Sequence, residues 1–113
     1  MEVERVSVEF GGVVAVDKVD ISVEKGELFS LIGPNGAGKT TLFNVITGVY
    51  KPTQGCVRFG GEDVTRRRAD QRAALGLART FQELRLFEDM TVLENIAVGP
   101  LWQRGGNLLE IMF

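Results

Sequence analysis

Apolar and polar residues alternate along the first part of the chain in a pattern that predicts β structure. Val6, Val8 and Phe10 alternate with polar residues, and a second alternating run follows the turn signal Gly11-Gly12. Residues that alternate in this way share one face of a strand, and two such runs joined by a glycine turn are typical of a hairpin. The sequence therefore predicts an antiparallel hairpin over residues 1–24.

A short apolar run, a glycine-rich loop and an amphipathic stretch follow in that order. Residues 28–32 have the length and composition of a buried parallel strand. After the loop, four apolar residues recur at helical spacing, and Gly48 with Pro52 predicts the end of this helix. The four are Leu42, Val45, Ile46 and Val49. This order places a helix N-terminus, with its positive dipole end, directly after the loop.

Shorter patterns predict the remaining elements. They are a strand at 56–59, a helix at 69–75 with Thr65 as its candidate N-cap and Gly76 at its end, and a strand at 77–81. The run Thr91-Val92-Leu93-Glu94 is a capping box, which predicts a helix from there to about Val98, and Gly99-Pro100 would stop it.

Composition narrows the class of protein. The chain has 113 residues, enough for one core, with 13 basic and 15 acidic residues and a net charge of −2. This balance provides no strong positive potential to attract the phosphates of a nucleic acid, so no nucleic-acid partner is expected. The single cysteine, Cys56, is predicted to be a small buried strand residue. No apolar run approaches the roughly 18 residues of a membrane span, and the acidic N-terminus is not a signal peptide.

The loop itself satisfies the phosphate-binding pattern G-x-x-x-x-G-K-[ST]. Glycine lets backbone N–H groups curl round phosphate oxygens, the Lys39 ammonium can reach the outer phosphates, and the Thr40 hydroxyl can bind Mg²⁺. The sequence therefore predicts a site for a nucleoside triphosphate. Its candidate residues are Gly33, Pro34, Asn35, Gly36, Ala37, Gly38, Lys39, Thr40 and Thr41.

Several motifs in order and spacing carry a family resemblance. The stretch from Phe10 to Val98 resembles the first part of an ABC-transporter nucleotide-binding domain, through Phe10-Gly11-Gly12, Gly33 to Thr41, Pro52-Thr53-Gln54-Gly55 and Arg79-Thr80-Phe81-Gln82. The segment from Gly76 to Gln82, with Arg85-Leu86-Phe87 and Met90 to Asn95, resembles more narrowly the ATPase subunits of bacterial branched-chain amino acid importers.

The resemblance implies ATP and Mg²⁺ as ligands and gives roles to individual residues. It implies that residues 36–41 line the triphosphate, with Lys39 catalytic and Thr40 on the metal. Gln82 matches the family's Q-loop glutamine, which reaches the metal and the attacking water and links the site to the membrane subunits. Phe10 matches an aromatic residue that stacks on adenine, although its alternation with Val6 and Val8 would equally make it a core residue.

The expected fold is an α/β P-loop NTPase core of ABC type with an N-terminal antiparallel hairpin subdomain. The expected parts are the hairpin at 1–24, the P-loop core at 25–82 and the start of the helical subdomain at 83–113, where the chain is expected to be truncated. The family's Asp-Glu strand, Leu-Ser-Gly-Gly-Gln signature and switch histidine do not occur in the sequence. The chain alone is therefore expected to be inactive, marginally stable, and exposed along residues 28–32, which would lack a neighbouring strand.

The function implied by the resemblance is that of an ATP-binding and hydrolysing importer subunit, for branched-chain amino acids. The implied partners are transmembrane permease subunits and a second ATP-binding subunit, identical or different, at the cytoplasmic face of the inner (cell) membrane. Two alternatives remain open: a soluble ABC-type ATPase without a transporter partner, and a non-catalytic truncated remnant.

Overall fold

A computed structural model describes residues 1–81 and 86–104 of the chain. These residues fall into two compact units, divided between Arg79 and Thr80. The elements are β1 (Glu2–Phe10), β2 (Val13–Ser22), α1 (Lys39–Ile46), β3 (Gln54–Phe59), β4 (Glu62–Asp63), α2 (Ala69–Ala74) and α3 (Val92–Arg104). Within the described ranges, no helix is long and apolar enough to cross a membrane.

The four strands form one antiparallel sheet in the order β2-β1-β3-β4. The predicted hairpin is confirmed, because β1 pairs with β2 from Phe10↔Val13 at the turn to Glu2↔Ser22 at the far end. The register shifts between Val3 and Val6, where Arg5 has a φ of 46°. Such an irregularity lets two residues three positions apart share the buried face of one strand.

Helix α1 packs against this sheet and closes the core. Its apolar stripe supplies three buried residues, as predicted, but Val49 lies beyond the end of α1 and is exposed. Gly48 follows the helix with a φ of 82°, which fits the predicted stop. The buried apolar residues are Val3, Val6, Val8, Val16, Leu42, Val45, Ile46, Val57 and Val64.

Two strand predictions are wrong for this structure. Residues 28–32 have no strand pairing, and Leu28 and Ile32 are 94 % and 91 % exposed. Residues 77–81 likewise do not form a strand. A strand exists only where a neighbouring strand accepts and donates its backbone hydrogen bonds, and the described sheet, in the order β2-β1-β3-β4, includes neither segment. The expected exposure is found for Leu28 and Ile32, but not as the edge of a strand, and Leu31 packs partly against the core.

The ends of α2 and the setting of Cys56 also differ from expectation. Arg68, not Thr65, caps α2, and its N–H donates to Gln71 Oε1 at 3.0 Å. Thr65 is engaged elsewhere, because its hydroxyl oxygen accepts the N–H of Val57 at 2.9 Å.

Cys56 lies in β3 as predicted but is only partly buried, with Sγ 3.5 Å from Glu4 Oε2.

The capping box at the start of α3 is confirmed. Thr91 donates from its N–H and from its hydroxyl to Glu94 Oε2, each at 2.7 Å, and its hydroxyl oxygen accepts the N–H of Glu94 at 3.3 Å. The predicted stop at Gly99-Pro100 is wrong, because α3 continues to Arg104. Proline lacks the N–H for one helical bond, but its fixed φ is helical, so a neighbouring residue can continue the helix when the other bonds form.

Candidate nucleotide-binding site

The glycine-rich loop leads directly into α1. Gly38 is the N-cap of α1 with a φ of 86°, and Lys39 is the first helical residue. Inside the loop, the Ala37 N–H donates to Pro34 O at 3.3 Å. The helix begins at once with the bond from the Leu42 N–H to Gly38 O at 2.9 Å. The predicted order of loop and helix N-terminus is therefore confirmed.

Lys39 closes the loop on itself. Its ammonium donates to the carbonyl oxygens of Gly33 and of Pro34, the latter at 2.6 Å. The side chain of the first residue of α1 thus returns to the carbonyls at the beginning of the loop. Phosphate oxygens accept stronger, charge-assisted hydrogen bonds than neutral carbonyls do. A phosphate group entering the loop would therefore compete well for this ammonium.

Among the described residues, no side chain provides an acceptor for the N-terminus of α1. No acidic residue lies in its first turn, and no described side chain caps it. The first N–H groups of a helix have no partner within the helix, and together with the helix dipole they favour an anion. An anion with several oxygens satisfies them in the way a capping side chain would, so the site fits a phosphate chain.

Gly38 brings β2 into the site. A Cβ on Gly38 would lie 2.3 Å from the carbonyl oxygen of Ala15 and 3.2 Å from Val16 Cγ2. The start of α1 therefore rests on the backbone of β2, and only glycine allows this approach. Sequence reasoning assigned Gly38 to the phosphates alone and missed Ala15, because a strand pattern does not show which helix its backbone touches.

The loop and the two elements beside it enclose a cavity of about 270 Å³. This volume lies near the lower end of the range for small-molecule sites. Six of its lining residues are candidates predicted from the sequence, and Ala15 is the addition. The lining residues are Ala15, Asn35, Gly36, Gly38, Lys39, Thr40 and Thr41.

Phe10 is not among the described residues that line this cavity. Its ring is 48 % exposed and meets Tyr50 edge to face, with ring centroids 5.5 Å apart. The core role left open by its alternation with Val6 and Val8 is therefore not realised. About half of the Phe10 surface stays accessible beside this contact, which leaves room for a stacked ring. The stacking role of Phe10 remains a prediction.

Of the two predicted metal ligands, the structure describes Thr40 but not Gln82. Thr40 is exposed at the start of α1, where its hydroxyl can face a ligand in the cavity. In the described parts of the chain, no three His, Cys, Asp or Glu side chains cluster as a metal site. The role of Thr40 as a metal ligand remains a prediction. Gln82 lies outside the described residues, and its role remains a prediction.

Two arginines bind the opposite end of α1. Arg72 is 1 % exposed, and its Nη1 donates to Val45 O and to Ile46 O at 2.6 Å each. Arg79 Nη1 donates to Asn44 Oδ1 at 2.6 Å and to the Thr47 hydroxyl at 3.2 Å. Cations suit the negative end of a helix dipole. Burial lowers the pKa of Arg72, and the negative charge of Asp63 partly offsets this.

Comparison with known proteins agrees with this arrangement. The sequence profile of the ABC transporter family matches residues 16–112, and the chain belongs to this family. It is 43 % identical over 113 residues to the high-affinity branched-chain amino acid transport ATP-binding protein BraF of Pseudomonas aeruginosa. That match covers all of this chain but 44 % of BraF, so the chain spans less than half the length of this relative.

Solved structures support the fold. A crystal structure of an ATP-binding cassette of an ABC transporter in its ADP conformation is 41 % identical, with a TM-score of 0.80 over 99 % of this chain and 44 % of that one. A dimeric cassette in a post-hydrolysis state, bound to ADP and Pi, is 26 % identical, with a TM-score of 0.74 over 95 % of this chain and 49 % of that one. The α/β fold of the ABC-type P-loop core is therefore confirmed.

Proposed function

We propose that the protein binds and hydrolyses ATP as the ATP-binding subunit of an ABC importer. The observation that carries this proposal is the uncapped N-terminus of α1, which opens into a cavity lined by Lys39 and Thr40. Backbone donors, a cation and a hydroxyl are the groups that a Mg²⁺-bound triphosphate requires. Membership of the ABC transporter family supports the same function.

Each group has a separate task in this proposal. The first N–H groups of α1 bind phosphate oxygens, and the Lys39 ammonium leaves the carbonyls of Gly33 and Pro34 to neutralise the outer phosphates. The Thr40 hydroxyl orients the metal side of the nucleotide, where Mg²⁺ supplies positive charge. Gln82 would orient the attacking water, and Phe10 would stack on the adenine ring. Neutralising the charge of the phosphates would favour transfer of the terminal phosphoryl group to water, with ADP as the leaving group.

The proposed partners are permease subunits in the membrane and a second ATP-binding subunit. The dimeric cassette to which the chain is similar supports the second subunit. In the unit after Arg79, an apolar cavity of about 480 Å³ opens between exposed side chains, which suits a helix of a permease. Its apolar members are Leu86, Phe87, Met90, Val92 and Ile96. These partners would place the protein peripherally on the cytoplasmic face of the inner membrane.

Lys39→Ala tests the nucleotide site in the natural full-length protein. Loss of the ammonium removes charge-assisted bonds to phosphate, so the Kd for ATP with Mg²⁺ should rise at least about 100-fold. Lys51→Ala is the matched control, because Lys51 is exposed just after α1 and lies outside the cavity lining. Titration calorimetry on both variants decides the matter. Unchanged affinity in Lys39→Ala would refute the phosphate-loop assignment.

Co-purification and uptake test the transporter role. The tagged natural protein should co-purify from membranes with apolar permease subunits and restore uptake of leucine in cells that lack its gene. Lys39→Ala should keep the partners but lose the uptake. Recovery with ribosomes or DNA, and not with membrane subunits, would refute the importer proposal in favour of a soluble ABC-type ATPase. Branched-chain amino acids are proposed as cargo from the similarity to BraF.

A further inference from the structure

Arg72 is a buried cation with no role in the proposed chemistry. Its guanidinium makes four hydrogen bonds, all to backbone carbonyls: those of Val45, Ile46, Thr65 and Arg67. Buried arginines usually pair with a carboxylate, whereas the hydrogen bonds of Arg72 to the described residues all go to backbone carbonyls. The planar fork of donors fixes a guanidinium in one orientation, which a lysine could not reproduce.

These four bonds join α1 to the segment that precedes α2. Val45 and Ile46 are the last residues of α1, whereas Thr65 and Arg67 lie between β4 and α2. Gly48 leaves room for the guanidinium, because a Cβ there would lie 2.8 Å from Arg72 Nε and 3.0 Å from the Ala69 nitrogen. The end of α1 and the start of α2 are thus built around Arg72.

We propose that Arg72 is a positioning residue for the nucleotide site, which it serves by fixing α1 from the end opposite the phosphate loop. This inference rests on the proposed function of the loop. A helix of eight residues is about 12 Å long and moves as a rigid rod. A tilt or shift at Ile46 therefore displaces Lys39 and the first N–H groups of α1.

The N-terminal end of α1 has no comparable set of bonds between elements. Among the described residues it is supported by the close contact of Gly38 with the backbone of Ala15 and by the burial of Leu42, while Lys39 binds only carbonyls of its own loop. A misplacement of about 1 Å in a binding group can reduce function about 100-fold, so a modest tilt is enough to matter. The effect should concern the phosphates, because the adenine platform proposed at Phe10 is on β1 and not on α1.

The test compares ATP with AMP in the natural full-length protein. Unfolding reduces the apparent affinity for both nucleotides by one factor, whereas misplacement of α1 reduces the affinity for the triphosphate more. Arg72→Met keeps the length of the side chain and removes its donors. We expect its Kd for ATP to rise about tenfold relative to its Kd for AMP. Arg66→Met is the matched control, because Arg66 is exposed and its substitution makes the same change in charge.

A second variant keeps the test decisive if Arg72→Met does not fold. Arg72→Lys retains the charge but cannot donate to all four carbonyls, so the ratio of the two Kd values should shift in the same direction by a smaller factor. A ratio within twofold of that of the wild-type protein, in whichever variant folds, would overturn the inference and leave the proposed function standing. Failure of the wild-type protein to bind ATP would instead overturn the proposed function.

Discussion

The two ends of α1 are built in opposite ways. At the N-terminus, no acidic residue lies in the first turn and no described side chain caps the helix. The Lys39 ammonium there binds two neutral carbonyls, which are weaker acceptors than phosphate oxygens. At the C-terminus, Arg72 binds the carbonyls of Val45 and Ile46, and Arg79 binds Asn44 and Thr47. The C-terminal end of α1, which we propose is held in place, thus has hydrogen-bond partners, whereas the N-terminal end, which we propose binds phosphate, has no side-chain cap among the described residues. A binding site can be found where a well-packed helix lacks its cap.

The largest expected effect concerns the contact that supports the N-terminus of α1 against β2. In Gly38→Ala the new Cβ would lie 2.3 Å from the Ala15 carbonyl oxygen at a φ of 86°, so backbone must move. We expect the free energy of unfolding to fall by about 3 kcal/mol, from steric overlap and from the strained φ together. Urea denaturation measures this loss.

Gly36→Ala is the matched control for Gly38→Ala. Gly36 has a similar φ of 82°, but a Cβ there would meet nothing within 4 Å. Its cost should therefore be only that of the strained backbone, about 1 kcal/mol. Equal losses in the two variants would show that α1 does not rest on β2.

A substitution at the C-terminal end of α1 should have the next largest effect on stability. In Gly48→Ala the new Cβ would lie 2.8 Å from Arg72 Nε and 3.1 Å from the Arg67 oxygen. The guanidinium is held by four bonds, so we expect a loss of about 2 kcal/mol, which urea denaturation measures. Gly76→Ala is the control, because its φ is 100° and a Cβ there would meet nothing within 4 Å. A Gly48→Ala variant no less stable than Gly76→Ala would contradict the tight packing around Arg72.

The N-terminal end of α1 could be predicted from the sequence better than its C-terminal end. The loop motif and the apolar stripe of α1 are local patterns. The structure confirms the helix directly after the loop and three of the four stripe residues, whereas the binding role of the loop stays a prediction. Arg72 was missed because arginine is usually exposed, and nothing in its neighbouring residues signals that it is buried. The apolar residues 28–32 were predicted as a strand from their length and composition. Composition favours a strand, but only a hydrogen-bonded neighbour makes one, and such pairing is not a local property.

The N-terminus of α3 provides the smallest expected effect and a capped counterpart to α1. Hydrogen bonds from the Thr91 side chain and backbone lower the pKa of Glu94. A carboxylate with a lowered pKa stabilises the fold above its unfolded-state pKa, and this contribution is lost as the pH falls through the folded-state pKa. Thr91→Ala removes the hydroxyl and leaves the N–H, so the pKa of Glu94 should move part of the way back toward its ordinary value.

An NMR titration of the Glu94 side chain measures that shift, and Thr91→Ser, which keeps the hydroxyl, is the control. The variant should also lose about 1 kcal/mol of helix stability, the usual contribution of an N-cap. If Thr91→Ala left both the pKa of Glu94 and the stability of α3 unchanged, a side-chain cap would not matter for this helix. The absence of a described side-chain cap on α1 would then no longer support a phosphate site at its N-terminus. The difference between the two ends of α1 would have no functional consequence. A clear loss at α3 would instead mean that α1 forgoes a comparable stabilisation at its N-terminus, which a bound phosphate would restore.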